Sequence, residues 1–359
     1  MFMLLILLGV CLVLSLTICA AGTAPASVFP REHWEHRSPS EVGLNPTRLE
    51  EFASFIEAGT DNPSDERHRR IGCVVRDGYM VYSWGDQNTK LDWFSSSKPV
   101  VSTMLLFAVH SGLLPNVDAR IADLGWPLIE KDRGMTFAHL ANQISGYALA
   151  EPSGTAYAYN DLALQLYVLS LEKVFAKSLN EAAMGYLSPL QLEDGDVINA
   201  RRRTFTTPRD FARIGWFWMH RGNWAGRQVL PQAYFDAYMR PLIPPDMPRS
   251  KTLENFNDYL NIASYGGGSN QSGMMAGVYG FNWWFNGPIA TTGVVAMEGV
   301  PTDLVMALGA RGSNMVMLPT QRLLVAARGS WEEYDEAEAA KRAPFTTAMK
   351  MLLAAIDRP

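Results

Sequence analysis

Apolar positions follow two periods along the chain, and the switches between them outline the fold. Leu49, Phe52, Phe55 and Ile56 recur at helical spacing behind Asn45 and Pro46, a capping residue and a first-turn proline. Residues 70–84 instead form two apolar runs around Asp77-Gly78, the pattern of a β-hairpin closed by a two-residue turn. Val100, Val101, Met104, Leu105 and Ala108 return to helical spacing and predict a helix over 95–114, with Gly112 near its end. Helices are also predicted over 161–175 and 208–221, the second capped by Thr207 ahead of Pro208. Residues 302–310, 314–318 and 323–327 read as neighbouring strands, and 345–356 as a closing amphipathic helix. Strands at both ends with helices between them predict an α+β fold, one sheet assembled from both termini with a helical lobe inserted. The expected division is a leader over 1–24, an α/β lobe from 25–94 with 205–359, and a helical lobe over 95–204.

Residues 1–21 carry no charged side chain and end in small residues, which reads as an export signal. No Lys or Arg opens the run, and it is long enough to span a bilayer if uncleaved. Leu16-Thr17-Ile18-Cys19 also loosely resembles a lipoprotein box. Export is therefore expected, with cleaved, lipid-anchored and helix-anchored forms, and so a membrane tether, left open. Residues 24–44 are rich in Pro and Ser and read as an extended leader, with His33, Glu35 and His36 as surface residues rather than metal ligands. Residues 264–277 read as a mobile glycine-rich loop.

Composition narrows the class. The 359 residues are 48% apolar and 19% charged, as in folded globular proteins. A net charge of −5 without a basic stripe argues against a nucleic-acid partner. Arg201-Arg202-Arg203, the densest positive cluster, reads as a solvated loop or an interlobe contact. Of three cysteines, Cys11 and Cys19 lie in the leader, so no disulfide framework is expected. Cys73 sits in an apolar run and reads as a buried strand residue.

The candidate chemistry centres on Ser95-Ser96-Ser97-Lys98, an S-x-x-K pattern. On a first helical turn, residues i and i+3 share a face, so Lys98 can reach the Ser95 hydroxyl. Free backbone N–H groups at a helix start favour developing negative charge. Lysine ordinarily titrates near ~10.4 and acts as a base only if burial or a nearby cation lowers that value. Pro99 disfavours helical geometry at Lys98, although a first turn tolerates proline. Ser170-Leu171-Glu172-Lys173 repeats the pattern in mid-helix, where no free N–H groups flank the hydroxyl. G-x-S-x-G, H-E-x-x-H, paired cysteines and a glycine-rich phosphate loop are absent from the sequence, so no metal or organic cofactor is expected.

The chain resembles the serine β-lactamase and penicillin-binding-protein-like superfamily, closest to its class C and 6-aminohexanoate-dimer-hydrolase-like esterase branch. The resemblance rests on the order and spacing of the hairpin, Ser95-Ser96-Ser97-Lys98, Thr136-Phe137-Ala138-His139-Leu140, Ile144-Ser145-Gly146-Tyr147, and Gly154-Thr155-Ala156-Tyr157-Ala158-Tyr159-Asn160-Asp161. Tyr279-Gly280-Phe281-Asn282-Trp283-Trp284 and Ala307-Leu308-Gly309-Ala310-Arg311-Gly312, with Pro319 beyond, complete it over residues 44–356.

The resemblance implies an antiparallel sheet flanked by helices and a serine hydrolase acting on a small ester or amide through an acyl-enzyme. Ser95 would be the nucleophile, Lys98 its partner and Tyr159 the proton relay. The N–H groups of Ser95 and Ala310 would form the oxyanion hole beside Gly309. Asp161 stands where the family has asparagine; a carboxylate there favours the charged form of Lys98 and leaves more of the work to Tyr159. Tyr259-Leu260-Asn261 matches Y-x-N literally but lacks the Gly-Thr lead, and reads as a decoy.

The cation of the third family motif is missing at Ala307-Leu308-Gly309, which weighs against β-lactams and carboxylate-bearing peptides unless Arg311 substitutes. A β-lactamase, a D-alanyl peptidase and a catalytically silent binding protein on the same scaffold are the competing readings. Trp283 and Trp284 either line an acyl pocket or pack in the core.

Overall fold

The computed structural model describes residues 27–58, 69–251, 257–266, 277–287, 297–331 and 339–357, the last stretch with side chains from residue 344 onward. The expected export segment, and most of the loop expected over 264–277, lie outside the described residues. No helix among the described residues is long and apolar enough to cross a membrane.

Helix α1 (Pro46–Glu57) starts where expected, with Asn45 accepting from the Arg48 N–H at 3.1 Å. The hairpin of β1 (Ile71–Arg76) and β2 (Tyr79–Trp84) turns at Asp77 and Gly78, both at positive φ. Short β3 (Leu91–Asp92) leads into α2 (Lys98–His110), α3 (Phe137–Ala141), α4 (Asp161–Phe175) and α5 (Leu179–Tyr186). Then β4 (Phe205–Thr206), paired with β3, precedes α6 (Pro208–Met219), which Thr207 caps by accepting from Asp210 N. The small hairpin β5 (Asn223–Trp224) and β6 (Arg227–Gln228) and helix α7 (Gln232–Tyr238) follow. The chain closes with β7 (Tyr279–Gly280), β8 (Trp283–Phe285), β9 (Val305–Ala307), β10 (Asn314–Leu318), β11 (Leu323–Arg328) and α8 (Ala339–Ala354).

The main sheet is antiparallel with strand order β2-β1-β11-β10-β9-β8-β7, so strands from the two ends of the chain meet at the β1–β11 pair. Alternation along each strand sorts side chains to two faces. Cys73, Val75, Met315, Met317, Leu324 and Ala326 join the core shared with α2, α4 and α6. Val74, Val316, Leu318, Leu323 and Val325 face the other way, into the core of α1 and α8. Helix α6 comes close to the sheet at Gly215, where a Cβ would collide with Met315 and Leu324.

Two expectations need correcting. The predicted helix over 95–114 is shorter: a 3₁₀ turn (Phe94–Ser97) precedes α2. An α-helix from Ser95 would need the N–H of residue 99 to reach Ser95 O, and proline has none. Lys98 N–H donates to Ser95 O instead, which tightens the turn to i→i+3.

The segment expected as an extended leader is, from Val28 onward, a strap built into the fold. Trp216 Nε1 donates to Val28 O at 3.0 Å, and Trp34 Nε1 to Arg209 O at 3.1 Å. The buried guanidinium of Arg213 donates to the carbonyls of Arg31 and Glu32, both at 2.8 Å.

Candidate active site

Ser95 lies on the 3₁₀ turn, and this turn brings Lys98 over it. In a 3₁₀ helix, residues i and i+3 eclipse. Lys98, 1% exposed, therefore points its ammonium back along the turn and reaches Ser95 Oγ at 2.8 Å. Tyr159, on the approach to α4, supplies a hydroxyl 2.5 Å from Lys98 Nζ. Asp161, the first residue of α4, places Oδ1 2.9 Å from the same nitrogen. One buried cation thus faces three oxygens, while Ser95 itself is partly exposed.

Asn160, between the tyrosine and the aspartate, caps α4 by accepting from the N–H groups of Leu162 and Ala163. Its own N–H donates to Gln143 Oε1 at 2.7 Å. These bonds hold the Tyr159-Asn160-Asp161 corner in register with Lys98.

The Ser95 turn is fastened to the far side of the site through Ser96. Its hydroxyl donates to Ala307 O, 2.9 Å away, and lies in close contact with Ser313 O. Gly309 fits where no other residue would: a Cβ there would stand 2.6 Å from Trp93 O, 2.8 Å from Ser313 O and 3.0 Å from Ser96 N. Its φ of −142° is ordinary extended backbone, so glycine is required by proximity and not by torsion. The N–H groups of Ser95 and Ala310 have no acceptor among the described residues.

Two residues of the 279–284 motif with no role assigned from the sequence complete the surroundings. Asn282, at φ +69°, donates to Ser102 Oγ at 2.9 Å and to the Lys98 carbonyl at 3.3 Å. Tyr279 OH donates to Asn282 Oδ1 at 2.7 Å, and burial pushes the Tyr279 hydroxyl well above its usual range. The i, i+3 spacing of Tyr279 and Asn282 was visible in the sequence, but nothing there tied it to α2.

Trp283 and Trp284 are buried and belong to the core. Trp283 packs on Trp218, and Trp284 on Tyr159 and Tyr279.

The other candidates fall elsewhere. Ser170 lies buried inside α4 and accepts from Trp126 Nε1. Tyr259 donates to Asp132 Oδ2 at 2.7 Å, away from Lys98. Cys73 is buried in β1, and burial pushes its thiol up to about 12, so it stays an unreactive thiol. Arg203 pairs with Asp92 at 2.6 Å and Arg202 with Glu172 at 3.0 Å, so two of the three arginines make structural contacts. No group of three or more His, Cys, Asp or Glu suited to a metal ion occurs among the described residues. An open cleft of about 840 Å³ runs between the strap and the β5–β6 hairpin, and no candidate catalytic residue lines it.

No protein-family model and no curated protein matches the chain. Solved structures do. A protein described as a 6-aminohexanoate-dimer hydrolase from Bacillus anthracis superposes with a TM-score of 0.59 at 13% identity, covering 91% of this chain and 87% of its own. A penicillin-binding protein homolog from Caulobacter crescentus gives 0.57 at 14% identity, covering 87% and 99%. A family VIII carboxylesterase gives 0.57 at 12% identity, covering 85% and 96%. The chain therefore has a β-lactamase/penicillin-binding-protein-like fold, the fold that its motif order led us to expect.

Proposed function

We propose that the protein is a serine hydrolase that cleaves ester or amide bonds through an acyl-enzyme on Ser95. The observation that carries this reading is the buried Lys98 ammonium, within hydrogen-bond reach of both Ser95 Oγ and Tyr159 OH. Ser95 Oγ attacks the substrate carbonyl, and its proton passes into the Lys98–Tyr159 pair. The carbonyl oxygen takes up negative charge between the N–H groups of Ser95 and Ala310; one such donor is typically worth about 3 kcal/mol. Collapse breaks the carbonyl–leaving-group bond, and the pair returns the proton to the departing alcohol or amine. Water then attacks the acyl-enzyme by the same relay and frees the acid and Ser95. Asp161 favours the ammonium form of Lys98, which directs proton acceptance toward the Tyr159 oxygen.

Ester substrates fit better than β-lactams. The strand position that carries a cation in β-lactam-hydrolysing relatives is here the buried Ala307, whose carbonyl is occupied by Ser96. Residues 1–24 would export or tether the enzyme.

A fluorophosphonate probe with p-nitrophenyl esters of graded chain length tests the reading. Labelling at Ser95 and ester turnover, both lost in Ser95→Ala, are expected. An unlabelled wild type without turnover would instead support a silent binding protein, and rapid nitrocefin hydrolysis would overturn the preference for esters.

A further inference from the structure

Phe94, immediately before Ser95, has a backbone that its residue type disfavours. Its φ is +48°, in the left-handed region that a bulky side chain seldom enters. Such a conformation persists only where the surroundings over-determine it, and here they do. The Phe94 N–H donates to Asp92 Oδ1 at 2.9 Å. The other carboxylate oxygen of Asp92 pairs with Arg203 Nη2 at 2.6 Å, and its carbonyl accepts from Arg328 Nη2. Both guanidinium carbons lie 5.2 Å from the Phe94 ring centroid, within cation–π range.

Arg203 and Arg328 are 6% and 1% exposed, so water does little to weaken these contacts. They reach the ring from separate parts of the chain: Arg203 from the loop ahead of β4, and Arg328 from the end of β11. Arg328 Nε also donates to Ser313 Oγ at 2.7 Å, in the residue whose carbonyl meets the Ser96 hydroxyl. One side chain therefore spans from the backbone before Ser95 to the loop after β9.

We propose that Phe94, clamped by Arg203 and Arg328 and turned by Asp92, is a positioning residue that sets the orientation of Ser95. The left-handed step at Phe94 swings the chain from β3 into the 3₁₀ turn. It thereby aims the Ser95 N–H and hydroxyl at the space beside Ala310. The catalytic part of this inference rests on the hydrolase reading above; the ordering of the turn does not.

The test compares full-length wild type, Phe94→Leu and Phe94→Tyr by two measurements. One is amide hydrogen exchange in peptides covering residues 91–98; the other is the rate of fluorophosphonate labelling at Ser95. Cation–π contacts of ordinary strength predict, for Phe94→Leu, roughly ten-fold faster exchange in that segment and roughly ten-fold slower labelling. Exchange in β10 stays near wild type and the melting temperature falls by only a few degrees, and Phe94→Tyr, which keeps the ring, recovers both rates. Equal behaviour of the Leu and Tyr variants, or faster exchange spread over the whole sheet, would overturn the proposal. A wild type that is never labelled would sink the hydrolase reading, while exchange would still decide whether Phe94 orders the turn. If Phe94→Leu does not fold, Arg203→Lys removes one planar cation while keeping a charge for Asp92. It is expected to speed exchange in the same segment, and unchanged exchange would count against the proposal.

Discussion

Lys98 shows what a single residue demands of its neighbours. A buried ammonium is costly unless it is paired and hydrogen-bonded; here Ser95, Tyr159 and Asp161 surround it. The carboxylate at position 161 makes this relay different from one built with asparagine. In the mechanism we propose, the reactive form needs the Lys98–Tyr159 pair to have lost one proton, whichever atom gives it up. A nearby negative charge opposes that loss. Asp161→Asn is therefore expected to move the acid limb of kcat/KM to lower pH, by roughly 1–3 units. A pH–rate profile matching wild type would show that the carboxylate and the relay are not coupled. Phe94 is the other residue under constraint, with a left-handed backbone that costs about 1–2 kcal/mol.

At the scale of elements, a proline and a glycine align the two halves of the site. Pro99 breaks the backbone ladder and leaves Ser95 on a 3₁₀ turn, where Lys98 eclipses it. Gly309 lets the end of β9 lie against that turn. A methyl group at 309 would press on the carbonyls of Trp93 and Ser313 and push the Ala310 N–H out of place. Gly309→Ala is expected to lower kcat by roughly 10²–10³, the usual loss for one oxyanion donor, with KM changed much less. Steady-state ester kinetics check this. A variant with unchanged kcat would mean that Ala310 N–H does not serve the reaction.

Across the whole molecule, the sheet joins the two ends of the chain at β1 and β11, and the strap over 28–37 closes around it. Arg213 holds this strap from the interior. It donates to Arg31 O, Glu32 O and Leu190 O and pairs with Glu193 at 2.9 Å. Arg213→Ala takes the guanidinium away from the buried Leu190 carbonyl and from the buried Asp210 carboxylate 3.7 Å away, and is expected to cost about 3–5 kcal/mol. Denaturant unfolding of the full chain measures this directly; a loss below about 1 kcal/mol, the scale of an exposed pair, would mean that water replaces the guanidinium.

Much of this was written locally in the chain. Asp77-Gly78, Asn45-Pro46 and Thr207-Pro208 mark turns and helix starts, because those residues satisfy or relieve nearby backbone groups. The S-x-x-K spacing likewise placed Lys98 within reach of Ser95, since one helical turn suffices for that contact. Tyr159 and Asp161 were found only through the order of motifs; local periodicity gave no reason to bring them to Lys98.

Ser96, Asn282, Phe94 with its two arginines, and the strap on Arg213 each depend on a partner far along the chain, which local spacing does not reveal. Arg203 and Arg328 lie 109 and 234 residues beyond Phe94, and Ala307 lies 211 residues beyond Ser96. Local spacing determined the hairpin, the helix caps and the Ser95–Lys98 step, because the groups that satisfy them are neighbours in sequence. Which buried cations meet which oxygens was settled by packing, since only the closed sheet brings those distant segments together.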